Sequence, residues 1–403
     1  MLRESRHEAS DLGTYTPAVH EAFIEADFYR ILQPRKYLGL ELSLETWAKV
    51  MVEVCRADPG AGWCLALGTG HMVPFIAHFS ESVVAEVFEQ HGRFIAPHSA
   101  APRGKAVAVP GGYRVSGTWA YSSGVPYSTH AMLTAMTTGP DGELARIVVL
   151  LPRADFRILD DWGGGQLMAL NASGSNSVLV EDVFVPQERT SPFTWLHDSY
   201  DGGDLGWQWT KNPMYFGYNG INYALTLACS QIGAAKGCLD LFEQIIRTKK
   251  RIHPPQVLRY LHPDSQRAWG QAAAMVDAAE NIVYAAARKS LELNERAAAG
   301  DPPSLADYER LPNMVWTAVR LSYEAGELMF RSVGSSVARV GDPLQELFLA
   351  LQMQRTQATD NADNATLAAA HAHFGVEAAG GFSEMITTRT NAEPGAVDMG
   401  GKA

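Results

Sequence analysis

The chain has 403 residues, 46% of them hydrophobic and 19% charged, with a net charge of −11. That length exceeds what a single core usually supports and predicts two or three domains, while the acidic balance argues against nucleic acid, whose binding rests on Lys and Arg contacts to phosphate. No apolar run reaches membrane-spanning length, the start MLRESRHEAS lacks a secretory apolar segment, and Cys55, Cys64, Cys229 and Cys238 form no CxxC pair; the expectation is a cytoplasmic protein with buried thiols, no membrane association and no metal.

Residues 1–95 read as a helical domain. PAVHEAFIEADFYRIL and LSLETWAKVMVEVCRA repeat apolar positions at helical spacing, and SESVVAEVFEQHG has a serine start and a glycine stop. The texture changes near residue 96. GKAVAVPGGYRVSGTWAYSSG alternates apolar and polar residues around Pro-Gly-Gly, the pattern of a β-hairpin. HAMLTAMTT, ARIVVLLPRADF and SNSVLVEDVFVP are further strands of a β domain over 96–195.

Residues 191–218 read as an irregular loop rich in Trp, Tyr, Asp and Gly, and a loop of that length is often functional. Helix returns with NYALTLACSQIGAAKGCLDLFEQIIRTKK and continues over 265–298, 304–338 and 343–373. These long, Ala-rich amphipathic segments predict a bundle within a third region, 196–403, ending in a Gly-rich tail. The predicted order is helical domain, central β domain, long-helix bundle.

Motifs for nucleotide phosphates (GxGxxG, GxxxxGK[ST]), zinc proteases (HExxH) and serine hydrolases (GxSxG) are missing. GGGQ at 163–166 reads as a turn, and HAH at 371–373 puts its imidazoles on nearly opposite helix faces, unsuited to one metal. More informative are GTWAYSSG, ending at Gly124, and SGSNSVLVEDVFVP, starting at Ser173. Hydroxyls and amides at strand ends can hydrogen-bond a heteroaromatic edge or a phosphate, and Trp119 and Tyr121 would pack on an isoalloxazine face.

The whole chain resembles the acyl-CoA dehydrogenase fold, in particular its monooxygenase branch, the oxygenase components of two-component flavin hydroxylases. The resemblance is carried by YRILQPRKYLGLEL (29–42), GAGWCLALGTGH (60–71), GGYRVSGTWAYSSG (111–124), GSNSVLVEDVFVP (174–186), QIGAAKGCLDLF (231–242) and RSVGSSVARVGDPLQ (331–345). It implies a helical N-terminal domain, a middle β-barrel or sandwich and a C-terminal four-helix bundle that assembles as a homotetramer. It further implies FMN, with FAD as the alternative, delivered reduced by a separate reductase. Dioxygen then adds to the flavin C4a carbon, and one oxygen atom passes to an aromatic, polycyclic or heteroatom-containing small molecule.

Position by position, the resemblance puts Ser123 or Ser122 near flavin N5, with Trp119 opening that segment. It puts Ser173, Ser175 and Asn176 in a flavin-holding loop, and Arg331, Gly334 and Ser335 in a segment that reaches a neighbouring subunit's flavin. Trp63, His71 and His98 fall where relatives line the pocket. The aromatic loop with Trp195, Trp207, Trp209, Tyr215 and Tyr218 is the candidate lid or substrate wall.

Two departures qualify this. The YEGT-like segment that carries the dehydrogenase glutamate is missing; HFGVEAAGGF stands there instead. Hydroxylase relatives follow PLQR with an aromatic-Arg-Asp segment and a catalytic histidine, but this chain has Leu349, Ala350 and, near the histidine position, Gln357. Glutamine cannot act as a base near neutrality. Either His371 or His373 replaces the histidine, or the reaction needs no such base. The alternatives to a monooxygenase are a flavin dehydrogenase or oxidase, and a non-catalytic paralogue of the fold.

Overall fold

The structure is a computed structural model describing residues 1–139, 142–164, 167–193, 205–216 and 220–376, with the backbone alone over 357–361. Among the described residues six helices come first: α1 (Arg6–Leu12), α2 (Pro17–Glu25), α3 (Leu44–Ala57), α4 (Pro59–Gly70), α5 (Met72–His78) and α6 (Glu81–His91). Side-chain caps set several starts. Thr16, Ser43 and Ser80 each accept from the N–H three residues on, and Asp58 takes the Gly60 and Ala61 N–H groups. The helix expected to run through PAVHEAFIEADFYRIL stops at Glu25, because Asp27 turns the chain with a φ of 56°. A short 3₁₀ turn, Phe28–Arg30, follows.

Seven strands form one sheet in the order β5-β6-β2-β1-β3-β4-β7. They are β1 (His98–Val109), β2 (Gly112–Trp119), β3 (His130–Thr138), β4 (Leu144–Pro152), β5 (Arg157–Ile158), β6 (Val178–Pro186) and β7 (Thr190–Pro192). The Pro-Gly-Gly hairpin joins β1 to β2 with Val109 opposite Gly112. β1 and β3 run parallel, and their register breaks between Ser99 and Gly104. Alternate residues of β3 and β4 go to opposite faces. Met132, Val148 and Leu150 join the core shared with the helices, whereas Leu133, Val149 and Leu151 join a separate core around Trp119.

After the strands come α7 (Leu205–Thr210), α8 (Gly220–Thr248), α9 (Pro263–Ala298), α10 (Leu305–Val333) and α11 (Pro343–Phe374). The stretch expected to be irregular thus contains α7 and a 3₁₀ turn, Pro213–Tyr215, while Trp195 and Tyr218 lie outside the described residues. α8 packs against α3, α4, α10 and α11, so the bundle and the first helices share one core. Arg56 of α3 holds Asp240 of α8 with two N–H···O bonds of 2.7 Å.

Candidate active site

The segments 122–124 and 173–176 are stapled together by their backbones. The Ser122 hydroxyl turns the chain after β2 by donating to the Trp119 carbonyl at 3.1 Å, and its N–H donates to the Asn176 carbonyl at 3.2 Å. Gly124 then donates to the Ser173 and Gly174 carbonyls from a φ of 86°, where a Cβ would come within 2.9 Å of the Cys64 carbonyl oxygen. Only glycine fits both demands.

This staple lines up three hydroxyls. Ser123 Oγ is 2.7 Å from Ser175 Oγ, and Ser175 Oγ is 2.7 Å from Ser173 Oγ. The Trp63 indole N–H, on α4, donates to Ser123 Oγ at 3.0 Å. An indole only donates, so Ser123 keeps its own hydrogen for Ser175 or for an acceptor in front of it.

In front of the strip is a cavity of about 620 Å³, where the first helices, the sheet and the bundle meet. Trp63 lines it from α4 and His71 from the junction of α4 and α5, the broken stretch of β1 from one side, and Tyr223, Trp316 and Gln354 from α8, α10 and α11. A break in a ladder beside a site is a recurrent way to re-aim side chains. Tyr121 and Trp162 also line it, ring centroids 5.8 Å apart and edge to face. Tyr121 takes a φ of 59° and is exposed. Among the described lining residues, Arg103 is the one side chain with a permanent charge.

The two histidines on the wall are neutral. His71 Nδ1 donates to the Ala96 carbonyl at 2.9 Å, which leaves Nε2 as an acceptor. Burial pushes His71 down to about 4, although that carbonyl acts the other way. Burial also holds His98 well below the ordinary imidazole value, with His71 and His78 adding to the effect. His98 Nδ1 is 2.6 Å from the Tyr223 hydroxyl, and burial holds that phenol protonated. The rings of His71 and His98 sit edge to face at 5.8 Å.

The cavity brings together Trp63, His71, His98, Tyr121, Ser123, Ser173 and Ser175, out of those expected from sequence. Other expected residues lie elsewhere. Trp119 does not meet the cavity: it is fully buried in the sheet's own core, its indole donating to the Thr134 carbonyl at 2.8 Å. Ser122 and Asn176 serve the staple through their backbones, and the Asn176 side chain donates a hydrogen bond of 2.9 Å to the Leu159 carbonyl. Tyr215 is buried and donates to the Leu32 carbonyl at 2.7 Å, and Trp209 packs edge-on against Tyr37 at 5.9 Å. Both pack against the segment between α2 and α3 instead of lining this cavity.

Arg331 lines a different groove, with Gln271, Met275 and Glu324 on the outer side of α9 and α10. Gly334 and Ser335 follow at the end of α10, away from the cavity lining. Gln357 lies on α11 with its side chain outside the described residues; Thr356, one position earlier, lines the cavity. His371 and His373, near the end of α11, do not line it. Sequence reasoning missed Tyr223, Trp162, Trp316 and Gln354. Tyr223 shares a helix face with Leu227, four residues on, and a polar aromatic on an otherwise apolar face was the available signal.

Residues 225–348 match the family model described as acyl-CoA dehydrogenase, C-terminal domain. The structure of XiaF from Streptomyces sp., in complex with FADH2 and glycerol, superimposes with a TM-score of 0.82 at 23% identity, covering 93% of this chain and 92% of that one. The fold is that of the acyl-CoA dehydrogenases. Curated relatives of the chain on this fold are oxygenases. A pigment production hydroxylase of a Rhodococcus species is 28% identical over 349 residues, 85% of each chain. The flavin-dependent monooxygenase, oxygenase subunit HsaA, of Rhodococcus jostii is 25% identical over 386 residues, 93% of this chain and 96% of its own. The site suits the flavin these names imply: a hydroxyl strip for a heteroaromatic edge, beside a mostly apolar cavity whose imidazoles carry no charge.

Proposed function

We propose that the chain is the oxygenase component of a two-component, reduced-flavin-dependent monooxygenase acting on an aromatic, polycyclic or heteroatom-containing small molecule. The observation that carries this reading is the Trp63–Ser123–Ser175–Ser173 hydrogen-bond line on the wall of an apolar cavity. When bound, reduced flavin supplies the electrons that activate dioxygen. Ser123, whose hydrogen can turn from Ser175 to an acceptor in the cavity, holds the ring edge, and Ser173 and Ser175 extend that contact. Tyr121 and Trp162 close one side against water, which would otherwise promote loss of hydrogen peroxide.

The imidazoles of His71 and His98 are too weakly basic to carry a proton near neutral pH. An uncharged substrate, oxidised without prior deprotonation by either of them, fits this wall. FMN is the proposed flavin, with FAD the alternative favoured by the FADH2 named for XiaF. The term "oxygenase subunit" in the name of HsaA supports a separate reductase as partner. A cytoplasmic homotetramer built through the C-terminal helices completes the reading. In it, Arg331, Gly334 and Ser335 would serve a neighbouring copy's site.

The test is anaerobic titration with reduced and oxidised FMN, and likewise FAD, followed by mixing with oxygenated buffer and timing of hydrogen peroxide release. Preferential binding of a reduced flavin and slow peroxide release are expected. Ser123→Ala should speed that release about tenfold, the equivalent of one hydrogen bond of roughly 1.4 kcal/mol. Equal affinity for both redox states, or a release rate indifferent to Ser123→Ala, would sink the proposal.

A further inference from the structure

The wall that carries Trp63, Ser123, Ser173 and Ser175 leans on a segment that does not itself reach the cavity. Residues 13–15, between α1 and α2, are not part of the lining. Each of them nonetheless holds a piece of chain that feeds it. The Gly13 carbonyl accepts from the Gly174 N–H at 2.8 Å, and Thr14 forms a single antiparallel bridge with Ser173. Thr14 Oγ1 lies 3.9 Å from the thiol of Cys64, the residue after Trp63 on α4. The Tyr15 carbonyl accepts from the Tyr127 hydroxyl at 2.9 Å, and the two rings stack at 4.7 Å, which ties down the turn that follows Ser123 and Gly124. Behind the wall, the buried Tyr15 hydroxyl is 2.6 Å from that of Tyr29, which in turn is 2.7 Å from His20 Nδ1. Gly13 also crosses the loop that carries Trp162. It takes a φ of 74°, and a Cβ there would lie 2.7 Å from the Trp162 carbonyl oxygen. Gly163 meets it from the other side, where a Cβ would lie 2.8 Å from Gly13 Cα. The two backbones approach more closely than any side chain allows.

We infer that residues 13–15 are a positioning strap for the hydroxyl strip: they set where Ser173, Ser175 and Trp162 stand relative to Ser123 and Trp63, without touching what the cavity holds. The pieces come from separate stretches of chain, 63–64, 123–127, 162–163 and 173–175, and the strap has a contact with each. Hydroxyls spaced 2.7 Å apart lose their bonds if their segments drift by a fraction of an ångström. The backbone staple joins 122–124 to 173–176, and the strap ties that pair to the Trp162 loop and to α4. The inference rests on the oxygenase reading only in treating the strip as the flavin's holder.

The experiment compares the full chain with its Gly13→Ala and Tyr127→Phe variants by hydrogen exchange, urea denaturation and anaerobic titration with reduced FMN. Gly13→Ala cannot keep both its φ and its approach to Trp162, whereas Tyr127→Phe keeps the stacked ring and removes only the bond to Tyr15. In Gly13→Ala, amide exchange over 173–176 should accelerate about tenfold while α8 keeps its rate, the mark of local opening. The folded variant should bind reduced FMN about tenfold more weakly, since the strip loses the equivalent of a hydrogen bond. Tyr127→Phe should move both readouts the same way by about fivefold, the usual effect of one hydrogen bond. A merely structural role would lower the urea midpoint and leave the flavin affinity of the folded protein unchanged. That result overturns the inference, as does exchange over 173–176 that is the same in the folded variants as in the unaltered chain. Circular dichroism shows whether Gly13→Ala folds, and if it does not, Tyr127→Phe decides. An unaltered chain that binds no reduced flavin loses the oxygenase reading, and exchange over 173–176 alone then keeps or overturns the strap.

Discussion

Around the cavity and behind it, imidazoles are kept neutral by burial, and this has a measurable cost in acid. His71 is held at about 4 and His78 at about 3 by burial. His130 is held at about 3 by burial, with His91 and Arg189 adding to it. In the unfolded chain each titrates near 6.5. As pH falls from about 6.5, the unfolded chain takes up protons that the folded one refuses, and stability is lost until the folded values are reached. His130 is buried, outside the cavity lining, and contacts Thr129 Oγ1 at 3.1 Å. His130→Gln should remove one proton from this linkage. Urea melts between pH 6 and pH 4 should then show the slope of unfolding free energy falling by about 1.4 kcal/mol per pH unit. An unchanged slope would mean that His130 titrates normally in the folded chain.

At the scale of elements, β2 shows what sequence can and cannot place. The hydroxyls of Ser123, Ser173 and Ser175 were legible because turn chemistry at strand ends is local. Trp119 was misplaced, although the two-residue period puts it on the face of Val115 and Gly117. That face points into the sheet's own core, where a Cβ at Gly104 would lie 2.0 Å from the Trp119 ring. The ring fills space between strands, and its indole is already bonded to the Thr134 carbonyl. Trp119→Ala should therefore cost about 3–5 kcal/mol in chemical denaturation, as large-to-small core changes do. A loss below about 1 kcal/mol would mean that the site tolerates an empty core. Tyr223, Trp316 and Gln354 were not legible for a different reason. Each is one polar position on a long amphipathic helix, and only the packing of α8, α10 and α11 turns those positions towards a common space.

For the whole molecule, the order of helices, sheet and long-helix bundle was readable because apolar periodicity changes from about 3.6 to 2 and back along the chain. What periodicity does not carry is how copies meet. Val340 is fully exposed at the α10–α11 turn, and the groove holding Arg331 lies on the outer side of α9 and α10. If the C-terminal helices assemble four copies, light scattering should return about four times the 43.8 kDa chain mass, with Arg331 protected from hydrogen exchange. A monomer mass at working concentration would exclude that assembly.

The division of the cavity wall has a consequence for how such proteins diversify. Ser123, Ser173 and Ser175 hang from the stapled ends of β2 and the loop before β6, whereas Trp316 and Gln354 stand on helices more than a hundred residues later in the chain. Substitutions on one wall need not disturb the other. Under the proposed reading, selection could retune the helix wall while leaving the serine strip untouched, and a designer could graft α10 and α11 positions from one member to another with that strip left as it stands.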